Sequence, residues 1–264
     1  MISVIISTHN PVFFESISKN IHETIGVEFE IIGIENNAQY SLCKAYNIGE
    51  SKAKYPYLCF VHEDVLFRTN NWGLLLSLSM ETDNSIGLIG VAGTKFKSSY
   101  PNVGWGVGQY LSKLKRGHIA HRNNDGSESY MDYDQNTQKL EVDEVVCVDG
   151  VFLFSKQTVF DLCRFDDELL TDYHAYDIDF SLQVFFQSYK VLVDRRINLL
   201  HFSTGKYSRQ YTLENRKVWK KWRTKLPVGS ANIKGIQYKK YYYDFLSWYS
   251  YLSSALKRSI NISK

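Results

Sequence analysis

Residues 2–10 read ISVIISTHN, a run of branched apolar side chains that stops abruptly at three hydrogen-bonding residues. An apolar run of this kind, rich in isoleucine and valine, suits a strand covered on both faces. The pattern returns at 30–37 (EIIGIENN) and at 57–64 (YLCFVHED), and IGLIGVAG at 86–93 is a fourth apolar run. Helices are expected between them, over 14–25, from Ser41 to about Lys54, and over 71–81. This alternation predicts an α/β fold with a mainly parallel sheet and helices on both faces.

In open α/β sheets, ligands sit beyond the carboxyl ends of the strands. The first three runs end in Thr8-His9-Asn10, Glu35-Asn36-Asn37 and His62-Glu63-Asp64. Three polar clusters at one sheet edge predict a binding site. Neither GxGxxG nor GxxxxGK[ST] follows the first run, so a dinucleotide site or a P-loop is not expected. A phosphate ligand would then need another counter-charge, and a divalent cation on Asp64 supplies it. Mg²⁺ takes carboxylates and phosphate oxygens, and Mn²⁺ accepts imidazole as well.

The stretch 94–141 breaks the rhythm with GWGVG at 104–108 and a polar run at 121–139, and is expected to be an excursion of short hairpins. VVCVDGVFLF at 145–154 predicts a strand and Lys156 to Cys163 a helix. Within it, Asp149-Gly150 marks a point where backbone approaches a ligand, or else a bulge. In TDYHAYDIDFSLQVFF (171–186), acids and a histidine crowd the start of an apolar helix. At about 100° per residue, Asp177 and Asp179 project roughly 200° apart, so regular helix lets only one face a cleft. Strands near 190–193 and 196–202 and helices over 212–226 and 238–258 complete the chain.

Net charge is +3, but 14 of the 31 Lys and Arg fall in residues 206–264 against two acids, Glu214 and Asp244. A basic tail with interleaved tyrosines predicts an anionic partner, and a helix packing on the domain or on a second copy of the chain explains the same pattern. A membrane surface touched by 238–258 fits better than nucleic acid, since no nucleic-acid motif accompanies it and the body is acidic. The four cysteines show no CxxC spacing and suit reduced core thiols of a cytoplasmic protein, peripheral at the inner face of the membrane. MISVIIS carries no basic leader region, and no uncharged apolar run of about 18 residues suggests a span.

ISVIISTHN, EIIGIENN and KAYNIGESKAKYPYLCFVHEDV (44–65) together resemble the first half of family 2 glycosyltransferases. EVDEVVCVDGVFLFSKQTVFDLCRFDDELLTDYHAYDIDFSLQ (141–183) resembles a subgroup of that family carrying an H-x-Y-D-I-D-x-S motif. The resemblance spans residues 1–205 and implies a GT-A fold, a Rossmann-like mixed sheet with helices on both faces. Residues 206–264 would be a helical C-terminal extension. It further implies an inverting, metal-dependent transfer from a nucleotide-sugar, UDP-linked by expectation, to a glycan or lipid-linked acceptor.

By the same resemblance Asp177 is the base that takes the acceptor's proton, and Asp179 supports the helix start. Thr8, Asn10, Glu35, Asn47 and His62 contact the nucleotide. Asp149, Gly150, His174 and Trp105 line the donor and acceptor pocket. Asp64 and His201 hold Mn²⁺ or Mg²⁺. The departure is His62, which stands where the family's metal motif has its first aspartate. Two other readings stay open: a sugar nucleotidyltransferase, and a catalytically silent nucleotide- or sugar-binding protein.

Overall fold

The computed structural model describes residues 1–101, 105, 109–123, 125–132, 141–203, 208–231, 239–249 and 252. The GWGVG motif apart from Trp105, and the end of the polar run from 133 on, lie outside them. The first third of the chain runs β1 (Ile2–Thr8), α1 (Pro11–Thr24), β2 (Phe29–Glu35), α2 (Leu42–Glu50), β3 (Tyr57–Val61), β4 (Val65–Phe67), α3 (Trp72–Thr82) and β5 (Ile86–Gly90). There follow β6 (Ala92–Thr94), β7 (Phe96–Lys97), a 3₁₀ segment (Gln109–Leu114), β8 (Lys115–Arg122) and β9 (Glu128–Asp132). Then come β10 (Val142–Val145), β11 (Cys147–Val148), β12 (Phe152–Lys156), α4 (Gln157–Phe160), α5 (Tyr176–Phe186), β13 (Lys190–Asp194) and β14 (Leu199–His201). The tail supplies α6 (Arg209–Trp222), β15 (Val228–Gly229) and a helix α7 over 239–249.

Seven strands form the main sheet in the order β10-β13-β5-β12-β3-β1-β2. β1 runs parallel to β2 and β3, and β13 runs parallel to β5. β12, however, lies antiparallel to both β3 and β5, and β10 lies antiparallel to β13. The sheet is therefore mixed, where the alternation of elements predicted a mainly parallel one. The parallel pairs at β1 are joined by helical crossovers, while β12 returns from the long excursion, which imposes no such direction.

The expected strand over 145–154 is also broken, its residues divided among the end of β10, β11 and β12. Val146 N–H donates to Thr94 O and Asp149 N–H to Ala92 O, which pulls β11 out of the main sheet and onto β6. The backbone turns at Asp149-Gly150 before β12 resumes. Likewise the run 86–93 splits into β5 and β6, and the helix expected over 156–163 is the single turn α4. β11 and β6 belong to a second sheet, ordered β11-β6-β8-β14-β4, with β9 paired to β8. The excursion thus supplies β8 and β9, two of the six strands of that sheet.

Both faces of the main sheet are buried, as its unalternating strands require. Leu58 and Phe60 of β3 enter one core with Tyr46, Phe160, Phe165, Tyr176 and Phe180. Cys59 and Val61 enter the other with Phe67, Trp72 and Phe152. All four cysteines are buried and unpaired, as expected. Burial pushes the Cys147 thiol up to about 12 and the Cys163 thiol up to about 11, so neither is a thiolate near neutral pH.

The tail is tied to this core. α6 sends Val218 and Trp222 into it, and buried Asp179 of α5 accepts from Trp222 Nε1 at 2.7 Å, Lys221 Nζ at 2.8 Å and Gln183 Nε2 at 2.8 Å. Helix α7 docks through buried Asp244, whose carboxylate accepts from Ser98 Oγ at 2.7 Å and Ser99 N–H at 2.8 Å. Among the described residues no helix is long and apolar enough to cross a membrane. Asp179→Ala should leave the Trp222 N–H without an acceptor and loosen α6. We expect a loss of roughly 3 kcal/mol in urea unfolding, with the slope of the transition unchanged.

Candidate functional site

The parallel register sets Thr8 beside Glu35, so the loops after β1 and β2 leave the sheet at one edge. Asn36 N–H donates to Thr8 O at 2.7 Å and locks the two loops together. The turn His62-Glu63-Asp64 leaves β3 at the same edge, since Ile5 pairs with Phe60. Three clusters meet there, as the sequence predicts. Glu63 is the residue that fixes their shape. Its buried carboxylate accepts from Thr8 Oγ1 at 2.6 Å, His9 N–H at 3.2 Å and Asn10 N–H at 3.1 Å, with His9 Nδ1 at 2.6 Å.

β4 starts immediately after Asp64 and pairs antiparallel with β14, His201 opposite Val65. That pairing delivers His201 to the turn: its Nε2 lies 3.3 Å from Asp64 Oδ1 and 3.1 Å from Ser203 Oγ. Ligand atoms of His62, Asp64 and His201 all lie within 4.8 Å of one another. Burial raises the Asp64 carboxyl, but hydrogen bonds from His201 and Ser203 and the two imidazoles outweigh it and hold the group at about 2. Burial, then the neighbouring His201, push the His62 imidazole down, towards its neutral form. An ionised carboxylate with two imidazoles is a donor set that suits Mn²⁺ and similar borderline cations. The residues fit the expected metal.

The second part of the site lies where β11 turns towards β12. Gly150 N–H donates to Asp177 Oδ2 at 3.2 Å, and Gly150 O accepts from the Tyr176 hydroxyl at 2.9 Å. That hydroxyl stands 2.7 Å from His62 Nε2. Asp149 Oδ2 accepts from Trp105 Nε1 at 2.8 Å, which ties Trp105 to this turn through its indole N–H. Asp177 is half-buried in the first turn of α5, while Asp179 points into the core, the division that the helical angle requires. Burial first, and the nearby Asp149 charge second, raise the Asp177 carboxyl to about 7 against three backbone N–H groups that lower it.

A Cβ at Gly150 would collide with the Tyr176 hydroxyl, so a glycine is needed there for the close approach of a tyrosine. Thr8 and Asn10 have internal work as well. Thr8 is held by Glu63, and Asn10 caps α1 by accepting from Val12 N–H at 3.0 Å and Phe13 N–H at 3.4 Å. Glu35 stands exposed at the sheet edge, accepting from Asn37 Nδ2 at 3.2 Å.

Asn47 donates to Phe165 O at 2.9 Å and lines a separate surface cleft of about 710 Å³ that shares no lining residue with the cation cluster. His174 meets Tyr211 of α6 edge-on, with ring centroids 5.2 Å apart.

Three participants had no role assigned from sequence: Glu63, Tyr176 and His121. His121 pairs in register with His201 and lies with its ring 5.4 Å away. Its Nδ1 is 2.8 Å from Ser203 O, and its Nε2 is buried without a hydrogen-bond partner. Glu63 stood in a polar cluster that pointed to it. Tyr176 lies inside the H-x-Y-D-I-D-x-S motif without a role following from it, and nothing in the chain near His121 announces it, because its partners are distant.

A family model described as a glycosyltransferase-like family matches residues 3–222. No curated protein sequence matches the chain. Among solved structures, the chain is similar to GalNAc-T7 crystallised with UDP, GalNAc and Mn²⁺, at a TM-score of 0.56 and 13% identity over 84% of this chain. It spans half the length of that relative (50%). It also aligns with A197 from STIV at a TM-score of 0.40 and 13% identity, covering 76% of this chain and 85% of that one. The first match shows the GT-A fold.

The raised Asp177 carboxyl makes a prediction independent of any substrate. The folded state holds a proton up to about 7, whereas a free aspartate releases it near 3.9. The folded chain therefore binds the extra proton between those values, and this contribution to stability is lost as pH rises through 7. Asp177→Asn should gain in melting temperature over the unsubstituted protein at pH 8 and give up that gain at pH 4, as differential scanning fluorimetry would read.

Proposed function

Because the chain belongs to the glycosyltransferase-like family, we propose that it is an inverting, cation-dependent transferase. It would move a sugar from a nucleoside-diphosphate sugar, UDP-linked in the first instance, to a hydroxyl of a glycan or lipid-linked acceptor. One observation carries the reading. Asp177, raised to about 7, is held by the backbone N–H of Gly150, the residue whose carbonyl starts a chain of hydrogen bonds that ends at the His62–Asp64–His201 cluster.

His62, Asp64 and His201 would hold the cation, which when bound neutralises the departing diphosphate. Asp177 takes the proton of the acceptor hydroxyl as that oxygen bonds to the anomeric carbon from the face opposite the diphosphate. The carbon–oxygen bond to the diphosphate breaks, and its electron pair leaves with the phosphate oxygen. Asp149 raises the proton affinity of Asp177, and Gly150 N–H keeps one carboxylate oxygen oriented. Glu35, exposed at the end of β2, is the side chain positioned to meet the nucleotide base.

The tail favours an acceptor at a membrane. At about 100° per residue, Tyr241, Tyr242, Phe245 and Tyr249 of α7 fall within about 100° of arc, and each is at least half exposed. The extension's two acids both face inward, Glu214 towards Lys217 and Asp244 towards Ser98. Its exterior is left aromatic and basic, the composition of an interfacial helix on anionic lipid.

Calorimetric titration of UDP should show binding with Mn²⁺ present and none with EDTA, and Asp64→Ala should abolish the difference. Asp177→Asn should lower turnover by about 10²- to 10⁴-fold while keeping UDP binding. Release of pyrophosphate instead of UDP would favour the nucleotidyltransferase, and binding without turnover across donors the silent binder. Phe245→Ser with Tyr249→Ser should reduce co-sedimentation with phosphatidylglycerol vesicles; equal recovery of variant and parent in the pellet would reject the membrane contact.

A further inference from the structure

The hydrogen bonds around Tyr176 leave one consistent assignment of protons. Gly150 O is a carbonyl and can only accept, so the single hydroxyl proton of Tyr176 is committed to it at 2.9 Å. His62 Nε2 lies 2.7 Å from the same oxygen and must therefore donate. In a neutral imidazole that places the lone pair on Nδ1, the nitrogen left free to bind a cation.

We propose that Tyr176 is a positioning residue for the cation site, setting His62 as its Nε2–H tautomer so that Nδ1 is the ligand nitrogen. The inference rests on the cation-site reading above. It explains how a histidine serves where related metal motifs carry an aspartate. A carboxylate is a ligand from either oxygen, but an imidazole is one only in the correct tautomer, and needs a partner to choose it.

The surroundings hold Tyr176 to this task. It is buried, with its ring edge-on to Tyr46 at 5.8 Å and to Phe165 at 6.0 Å, so it cannot swing away. Ala175 precedes it in the left-handed region at φ 65°, which turns the chain so that α5 begins with Tyr176 facing the Gly150 carbonyl. Gly150 has no Cβ to obstruct the hydroxyl. His62 itself is fixed from the backbone, its N–H donating to Val151 O at 3.2 Å. Burial keeps the phenol protonated, raising it well above its ordinary value.

The test uses Tyr176→Phe in the full chain with ¹⁵N-labelled histidine. Multiple-bond ¹H–¹⁵N spectra of the metal-free parent at pH 8 should show His62 as a single Nε2–H tautomer, and the variant should show a mixture. Mn²⁺ affinity, read by calorimetry or electron paramagnetic resonance, should fall by about 10- to 100-fold in the variant. Gly150→Ala, which keeps the hydroxyl but displaces it, should move both readouts in the same direction.

An Nδ1–H tautomer in the parent, or Mn²⁺ affinity within twofold in Tyr176→Phe, would overturn the inference and leave the cation site standing. A parent that binds no Mn²⁺ while its melting transition is normal would overturn the cation-site reading, and the inference with it.

Discussion

The site depends on the backbone of one glycine. Gly150 sits where β11 ends and the chain turns into β12, and its two polar groups face different parts of the chemistry. Its N–H holds the Asp177 carboxylate and its carbonyl holds the Tyr176 hydroxyl, which in turn holds His62. Buried backbone groups must find partners. Here that requirement joins the Asp177 carboxylate to the His62 imidazole through fixed bonds. Because Tyr176 and Asp177 are adjacent at the start of α5, one helix start serves both ends of the connection. A shift of this turn would disturb Asp177 and His62 together.

Much of this was legible in the chain. Unalternating apolar runs identify strands buried on both faces, and the polar residues closing them identify the edge where ligands meet. Both follow from local composition, and helix geometry puts Asp177 and Asp179 on different faces, but which of them faces the cleft came from the resemblance. The direction of β12 was not legible, because strand direction depends on the route of the connection, and the connection is the irregular excursion. The break between β11 and β12 was equally hidden. Val145 to Phe154 is a continuous apolar stretch apart from Asp149-Gly150, and only competition from Ala92 and Thr94 for its backbone N–H groups divides it.

Side chains told the same story at smaller scale. Thr8, Asn10 and Asn47 have the chemistry of ligand contacts, and in the fold Thr8 Oγ1 donates to Glu63, Asn10 Oδ1 caps the first turn of α1 and Asn47 Nδ2 donates to Phe165 O. Polar residues at a strand end must first satisfy the loops that carry them, and only the remainder faces outward. His201 was legible only through resemblance, since its approach to Asp64 is made by β4 pairing with β14, a contact no local pattern announces.

The cation cluster draws its members from both sheets. His62 and Asp64 follow a strand of the larger one, while His201 ends a strand of the smaller one and lies far along the sequence. Such a contact forms only after the intervening chain has closed a long loop, which makes it a late event in assembly. An ion bound there would favour the fully assembled chain over any form in which the two sheets have parted. The metal would then act as a clasp on the fold as well as a participant in chemistry, and the resistance of the whole molecule to proteolysis would rise with cation concentration.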